Sequence, residues 1–547
     1  MITLSALRAS APASALIGLL MLVSPSHAQN APSDPANLQA PAQRIDNYYQ
    51  RQTELKSRED DQDPVAGDQG ADTQPLSDSD VRFMLSEVRF SASELLSAEE
   101  LEEIASPFTG REVGMADLQQ LLDAVNAAYA GRGISTARAM LSAQAIEGGV
   151  VRVELVEGRL GELRIVGEAH APERFVRRRI SQQPGELVDA QQLRDELVFL
   201  NRTTDVRARA LMQAGKLPGE TDVAIELDTP ARTGFGVFVD NSGVESTGRE
   251  RVGVQGQAWG LLGVSDLLAG SVAWARGGLE GRVGYSGIVN RRNGRFGLQL
   301  SRNQINIIDG AYDDLDITGE STSYGLDFRQ PFIANQRWLL QGSLAVARVS
   351  SSTDISGERI AETDSDMATI ALLLGYRGEG REFSITQAVS QVRIDEPLRG
   401  DSRFTSAPGS LSWTQRLGQS GLLTRTHLGW QYASSDHVPS GNLFQIGGVG
   451  TVRGYERGIL GGPRGYYANL ELHRPYRDRH DVYVFLDYGK VEADFPEKTA
   501  ITGMGVGFAG QWGRRFAYSL DVGHAFDTVI GDQDSVRADF RLTATWE

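Results

Sequence analysis

Residues 536 to 546 alternate in character: Val536, Ala538, Phe540, Leu542, Ala544 and Trp546 are apolar, while Arg537, Asp539, Arg541, Thr543 and Thr545 between them are charged or polar. A period of two puts these sets on opposite faces of a β-strand. Similar alternation recurs from about Arg232 to the end of the chain. In a soluble sandwich the charged face would meet bulk water and the apolar face a second sheet. In a membrane barrel the apolar face meets lipid and the charged face lines a wet lumen. Repetition decides: roughly 315 residues, at about 20 per strand and connection, give about 16 strands, an even number as in bacterial barrels. Residues 231 to 547 are therefore expected to form a transmembrane β-barrel.

Residues 81 to 230 follow a different pattern and read as two copies of one β-α-α-β-β unit. In the first, strand-like VRFMLSEVRF precedes a helix whose Leu118, Leu121, Leu122, Val125 and Tyr129 fall at helical spacing, stopped by Gly131. GISTARAMLSAQAI and VVRVELVEG close it around Gly148 and Gly149. The second repeats the order with ELRIVG, a helix capped by Asp189 through Leu193, Leu197 and Leu200, then DVRARALMQAG and TDVAIELD. The expected boundaries are 81–159 and 160–230.

The chain opens with Arg8, an apolar stretch over residues 11 to 23, and small residues at Ser26 and Ala28. This predicts a signal peptide over residues 1–28 and places the mature chain outside the cytoplasm. Residues 59–80 are acidic and poor in apolar side chains, which predicts a disordered linker. In residues 29–58, Leu38, Ile45, Tyr48 or Tyr49, and Leu55 fall near one helical face, but periodicity alone leaves a helix and a disordered tail equally open.

Composition excludes several classes. With no cysteine the exported chain has no disulfide staples, so its stability must come from packed cores or closed sheets. A formal charge of -17 argues against nucleic acid as a partner. No G-x-x-x-x-G-K-[ST] motif is present for a nucleotide, and the seven histidines stand without H-E-x-x-H, G-x-S-x-G or a cysteine ligand set. No enzyme, metal site or cofactor is expected.

One connection breaks the barrel's regularity. Residues 435–463 are far longer than a hairpin needs and contain GGVGTVRGYERG, with Arg453 in a glycine-rich run. The next two strands carry acids. Glu471 shares a face with Asn469 and His473 on RGYYANLELHRPY, and Asp487 shares one with Phe485 and Gly489 on DVYVFLDYGK. A carboxylate facing lipid is costly, so both acids are expected to face the lumen. Arg453 then either pairs with Asp487, with Glu471 nearby, inside the barrel, or is solvated on an extracellular loop; the residues alone leave both open.

The order of these features resembles the two-partner secretion outer-membrane transporters, the TpsB (ShlB/FhaC/HecB-type haemolysin secretion/activation) group of the POTRA-plus-barrel superfamily. VRGY (Val452, Arg453, Gly454, Tyr455) matches the family's inward-folded loop, and FLDYG (Phe485, Asp487, Gly489) its F-x-D-x-G strand motif. AMLSAQAIEGG with VELVEGR looks like the end of the first POTRA domain, LPGETDVAIELD like the end of the second, and DNSGVESTGRERVGVQG like the first barrel hairpin. The resemblance implies a mainly β chain in which an N-terminal plug helix (29–58) and two α+β POTRA domains precede the barrel. It also selects the inward position for Arg453, anchored by Asp487 and Glu471.

The implied function is a translocase in the outer membrane of a Gram-negative bacterium, with its POTRA domains in the periplasm. It would take an unfolded TpsA-like exoprotein, a haemolysin or adhesin, in extended form and export it through the barrel. If Arg453 and Asp487 touch, exchanging the two should restore some activity. The alternative within the superfamily is a barrel-assembly insertase, whose nearest members carry more POTRA domains and no plug helix.

Overall fold

The computed structural model describes residues 41–53, 64–67 and 81–546, apart from short breaks at 133, 135, 143, 168–170, 218, 229–230, 311–312, 397–399, 478, 494–497 and 532. The expected signal peptide and most of the acidic linker lie outside the described residues.

Sixteen antiparallel strands close into a barrel, each beside its neighbours in sequence. They run from Thr233–Asp240 to Val536–Trp546. These two pair directly, from Phe235 opposite Trp546 to Asp240 opposite Arg541, so the ladder has no free edge. The period of two survives in three dimensions. On His480–Glu492 every second residue from Asp481 to Val491 is buried, while Val482, Val484 and Leu486 between them are exposed. The exposed apolar set is the lipid face of a membrane barrel. Aromatic pairs Trp338/Tyr376, Phe383/Trp413 and Phe235/Trp546 gather at the periplasmic ends of their strands, as expected of an interfacial girdle.

Ahead of the barrel stand two small α+β units. In the first, Glu87–Phe90 and Ala137–Met140 flank Val150–Glu157. Helices Ala98–Ala105 and Met115–Gly131 cover that sheet. Ser97 and Glu100 form a reciprocal capping box at the start of the shorter helix. The predicted face of the longer one, Leu118, Leu121, Leu122, Val125 and Tyr129, is buried in the core. In the second unit helices Glu173–Arg177 and Ala190–Thr203 pack on Arg207–Ala214, Glu220–Asp228 and Arg159–Val166. Asp189 caps the longer helix by accepting from the Gln192 amide at 2.8 Å.

The second unit docks on the barrel's periplasmic turns. The Arg179 guanidinium donates to Asn293 Oδ1 at 2.7 Å, Asn293 donates to Thr203 Oγ1 at 2.6 Å, and Arg202 donates to the Asn335 carbonyl at 2.5 Å.

One segment differs from expectation. Within the linker expected to be disordered, Val65–Gly67 forms a strand parallel to Arg207–Ala214. Val65 is 7% exposed and completes the second unit's core, so one apolar side chain and an open sheet edge order a segment whose composition alone predicts none. The long loop contains a ladder of its own: Phe444–Ile446 pairs with Leu460–Gly462 in an antiparallel hairpin. Of the expected N-terminal helix, residues 29–58, the described part is Pro41–Thr53, which is helical; the remainder lies outside the described residues.

Candidate functional site

The loop between Leu422–Ala433 and Arg464–Tyr476 folds back into the lumen. Its hairpin carries Phe444, Ile446 and Leu460 into one apolar cluster with Val452, Tyr455, Val491 and Ile501, so the loop is seated by packing as well as by charge. Gly454 has φ of 92° and lies so close to Phe516–Ala525 that a Cβ would stand 3.0 Å from the His524 carbonyl carbon. The loop meets Ala500–Trp512 as closely: a Cβ on Gly503 would be 2.1 Å from the Arg453 carbonyl oxygen. Gly489 makes room for Val452 and Ile446 in the same way. Tyr455 donates to the Thr502 carbonyl at 2.6 Å and accepts from the Asp527 amide at 2.9 Å, which pins the far side of the motif.

Arg453, 1% exposed, is the centre of the site. Its Nε donates to Asp487 Oδ2 at 2.7 Å and its Nη2 to Asp487 Oδ1 at 2.8 Å, a bidentate charge-assisted pair. The Arg453 backbone amide donates to the same carboxylate at 3.0 Å. The guanidinium lies over the Phe485 ring at 3.6 Å. Nη1 reaches Glu471 Oε1 at 2.7 Å and, more weakly, Asp521 Oδ1 at 3.4 Å. Val452, Arg453, Gly454, Tyr455, Glu471, Phe485, Asp487 and Gly489 thus meet in one place, with Arg453 facing three carboxylates rather than two.

Several members of the network were not anticipated as such. Asp521 accepts from Tyr48 at 2.6 Å and from Tyr483 at 2.8 Å. His473, expected only to face the lumen, joins Glu471 at 2.9 Å to Asp481 at 2.6 Å. The charge set therefore extends down the wall toward the periplasm.

Helix Pro41–Thr53 stands in the lumen against this network. The Tyr48 hydroxyl accepts from Arg453 Nη1 at 3.1 Å, which ties helix, loop and wall to one guanidinium. Ile45, Tyr48 and Tyr49 pack on Val449 of the loop. Asp46 pairs with Arg541 on the last strand at 2.8 Å and with Arg282 on Gly278–Ile288. Arg44 donates to the Gln445 carbonyl at 3.1 Å. At the periplasmic end of the helix, Arg425 donates to the Arg51 carbonyl at 3.2 Å. The acids of this set are held by arginine, tyrosine and histidine partners. Among the described residues no group of three or more His, Asp or Glu is arranged to hold a metal ion.

A closed barrel of outward apolar strands, two α+β units at its periplasmic mouth and a loop folded back onto acids of the inner wall define an outer-membrane polypeptide transporter of the POTRA-plus-barrel class. Residues 219–510 match the family of haemolysin secretion/activation proteins ShlB/FhaC/HecB, and residues 83–158 match the ShlB-type POTRA domain. The chain belongs to that haemolysin secretion/activation family: it is an outer-membrane transporter of two-partner secretion, with its POTRA domains in the periplasm.

The heme/hemopexin transporter protein HuxB of Haemophilus influenzae is 24% identical over 420 residues, 72% of each chain. In the solved structure of CdiB from Escherichia coli, 19% identical, the match covers 95% of this chain and all of that one with a TM-score of 0.65. BamA from Haemophilus ducreyi lacking POTRA domains 1-3 is 15% identical, with 85% of this chain covered and a TM-score of 0.53, a likeness of fold alone.

Proposed function

We propose that the protein captures an unfolded exoprotein in the periplasm through its POTRA domains, in extended form, and passes it through the barrel once the lumenal helix has left. The observation that carries this reading is the position of Arg453, which holds the long loop to acids on three barrel strands and touches Tyr48 of the helix at the same time. The loop is then the fixed wall of the conduit and the helix its removable stopper. The asymmetry follows from the bonds: the loop is held by a bidentate pair, a backbone amide and an apolar cluster of nine buried residues, whereas the helix is held by polar contacts of Arg44, Asp46 and Tyr48 and by three packed side chains. Strand addition suits the capture step, because main-chain bonds give affinity with little demand on sequence. The periplasm offers no ATP, so progress must come from folding of the exported chain outside the cell.

The test compares secreted and outer-membrane proteins in the source strain with and without this gene. Loss of one large protein from the medium with other barrels unchanged is expected. A broad fall in outer-membrane barrels would point to an insertase instead.

A further inference from the structure

On the outward face of the barrel one polar row crosses five consecutive strands. Arg403 on Ser402–Leu417 stands opposite Arg393 on Arg381–Asp395, and Arg393 opposite Asp366 on Glu358–Gly378. Asp366 in turn stands opposite Arg348 on Trp338–Ile355, and Arg348 opposite Tyr324 on Ile317–Ala334. All five residues are exposed. The strands set the height of this row. Arg348, Asp366, Arg393 and Arg403 each lie ten positions from an aromatic residue of the periplasmic girdle on the same strand: Trp338, Tyr376, Phe383 and Trp413. Ten residues at about 3.4 Å each, on strands tilted by about 35–45°, rise about 25 Å, the height of a barrel's apolar band. The row therefore stands at the headgroup level of the outer leaflet.

The row's charge favours an anion. Arg393 and Arg403 occupy directly paired positions, and like charges so placed cost stability until a negative group lies between them. Asp366 accepts both bonds of Arg348, at 2.8 and 3.0 Å, and Asp401 accepts one from Arg393 at 2.7 Å, so three arginines face two carboxylates. Directly beneath, a depression of about 580 Å³ opens on the lipid face. It lies over Ala368, one outward step below Asp366, where a single methyl stands between Val346 and Gln391 of the neighbouring strands. Leu344, Ile370 and Val389 line it further toward the membrane's centre.

We propose that this wall binds one phosphorylated glycolipid of the outer leaflet, with its phosphate on Arg393 and Arg403 and an acyl chain in the depression over Ala368. The two parts of the site match the two parts of such a lipid, an anionic sugar head above and hydrocarbon below. A free phosphate would use only the arginines, and an uncharged lipid only the depression. The site is on the outer surface of the barrel, separate from the lumenal network around Arg453.

The test uses the full-length protein in detergent, with binding counted by native mass spectrometry against lipid A and against the same lipid stripped of its phosphates. The parent should bind one lipid A at least tenfold more tightly than the stripped form. Arg393→Gln with Arg403→Gln should lose that preference. Ala368→Phe fills the depression from the lipid side without entering the barrel's interior, and should weaken binding of both lipids at least threefold. Heat-modifiable migration like the parent's checks that each variant is folded. Equal binding of the two lipids by the parent, an unchanged preference in the double arginine variant, or unchanged binding by Ala368→Phe would overturn the proposal. So would displacement of bound lipid A by an equal concentration of inorganic pyrophosphate, which would assign the arginines to a free phosphate.

Discussion

Arg453 and Asp487, 34 positions apart, meet through two parallel hydrogen bonds of 2.7 and 2.8 Å, and both are almost fully buried in the lumen. A buried pair of this kind is weak evidence of net stability, but removing one partner leaves an uncompensated charge and costs about 3–5 kcal/mol. The pair therefore acts as a lock on the loop's position. Lysine cannot replace the arginine, because an ammonium has no fork to match both carboxylate oxygens.

Exchanging the two charges should fail, contrary to what the pair alone suggests. Arg453→Asp with Asp487→Arg would place the new aspartate near Glu471 and Asp521, which Arg453 now faces. Export by the double variant is expected to stay as low as in either single variant. Rescue to half the parent rate would show that Glu471 and Asp521 do not matter.

The three acids should not be equivalent. Asp487 takes three hydrogen bonds from Arg453, whereas Asp521 takes one long contact from it and two bonds from tyrosines. Asp487→Asn should expose the loop to added protease and cut export strongly, while Asp521→Asn should leave the loop protected and loosen the helix. Limited proteolysis of intact cells, set beside export rates, separates the two.

Asp46→Arg should open the channel. The substitution places a third positive charge beside Arg541 and Arg282, which now share the Asp46 carboxylate. In planar bilayers the variant should show higher and more persistent conductance than the parent, with the barrel intact by heat-modifiable migration. Unchanged conductance would mean the helix is not held by this contact.

Gly503→Ala should displace the loop without touching any charge. The added methyl would overlap the Arg453 carbonyl oxygen, a backbone atom with no rotamer to escape into. Export should fall toward the level of Arg453→Ala, and parent-level export would show that the loop's seat is not required.

The first POTRA domain should loosen only in acid. Burial pushes the Glu157 carboxyl up, but hydrogen bonds from Ser93, the Glu94 amide, Tyr129 and the Leu95 amide outweigh it and hold the pKa below the ordinary value. A depressed folded-state pKa contributes stability above the unfolded value, about 4.3, and that stability is lost as pH falls through the folded one. Protection of residues 93–95 in hydrogen exchange, corrected for intrinsic rate, should be flat from pH 7 to 5 and fall below about pH 4. Glu157→Gln should remove this pH dependence.

Much of this site was legible because a strand's period of two states which face a side chain occupies. That rule placed Asp487 and Glu471 in the lumen, and applied to Phe516–Ala525 it also puts Asp521 inside, between outward Leu520 and Val522. The signal for the third acid was present in the sequence. The helix was harder: Tyr48 and Tyr49 compete for one face at helical spacing, and in the structure both are buried, Tyr48 at Asp521 and Tyr49 beside Arg541. Val65–Gly67 had no readable signal, since three residues carry no periodicity and sheet-edge pairing is made by the main chain. The partners of Arg453 depended on where a long loop re-enters the barrel, which no local pattern encodes.

Arg453 should prove necessary for export because it holds a loop in the transport path. The most direct test is the export rate of the partner protein by Arg453→Ala at matched amounts of folded, heat-modifiable barrel. The barrel should be present in the outer membrane at parent levels, with export reduced at least tenfold. Export at the parent rate from the same amount of barrel would contradict it.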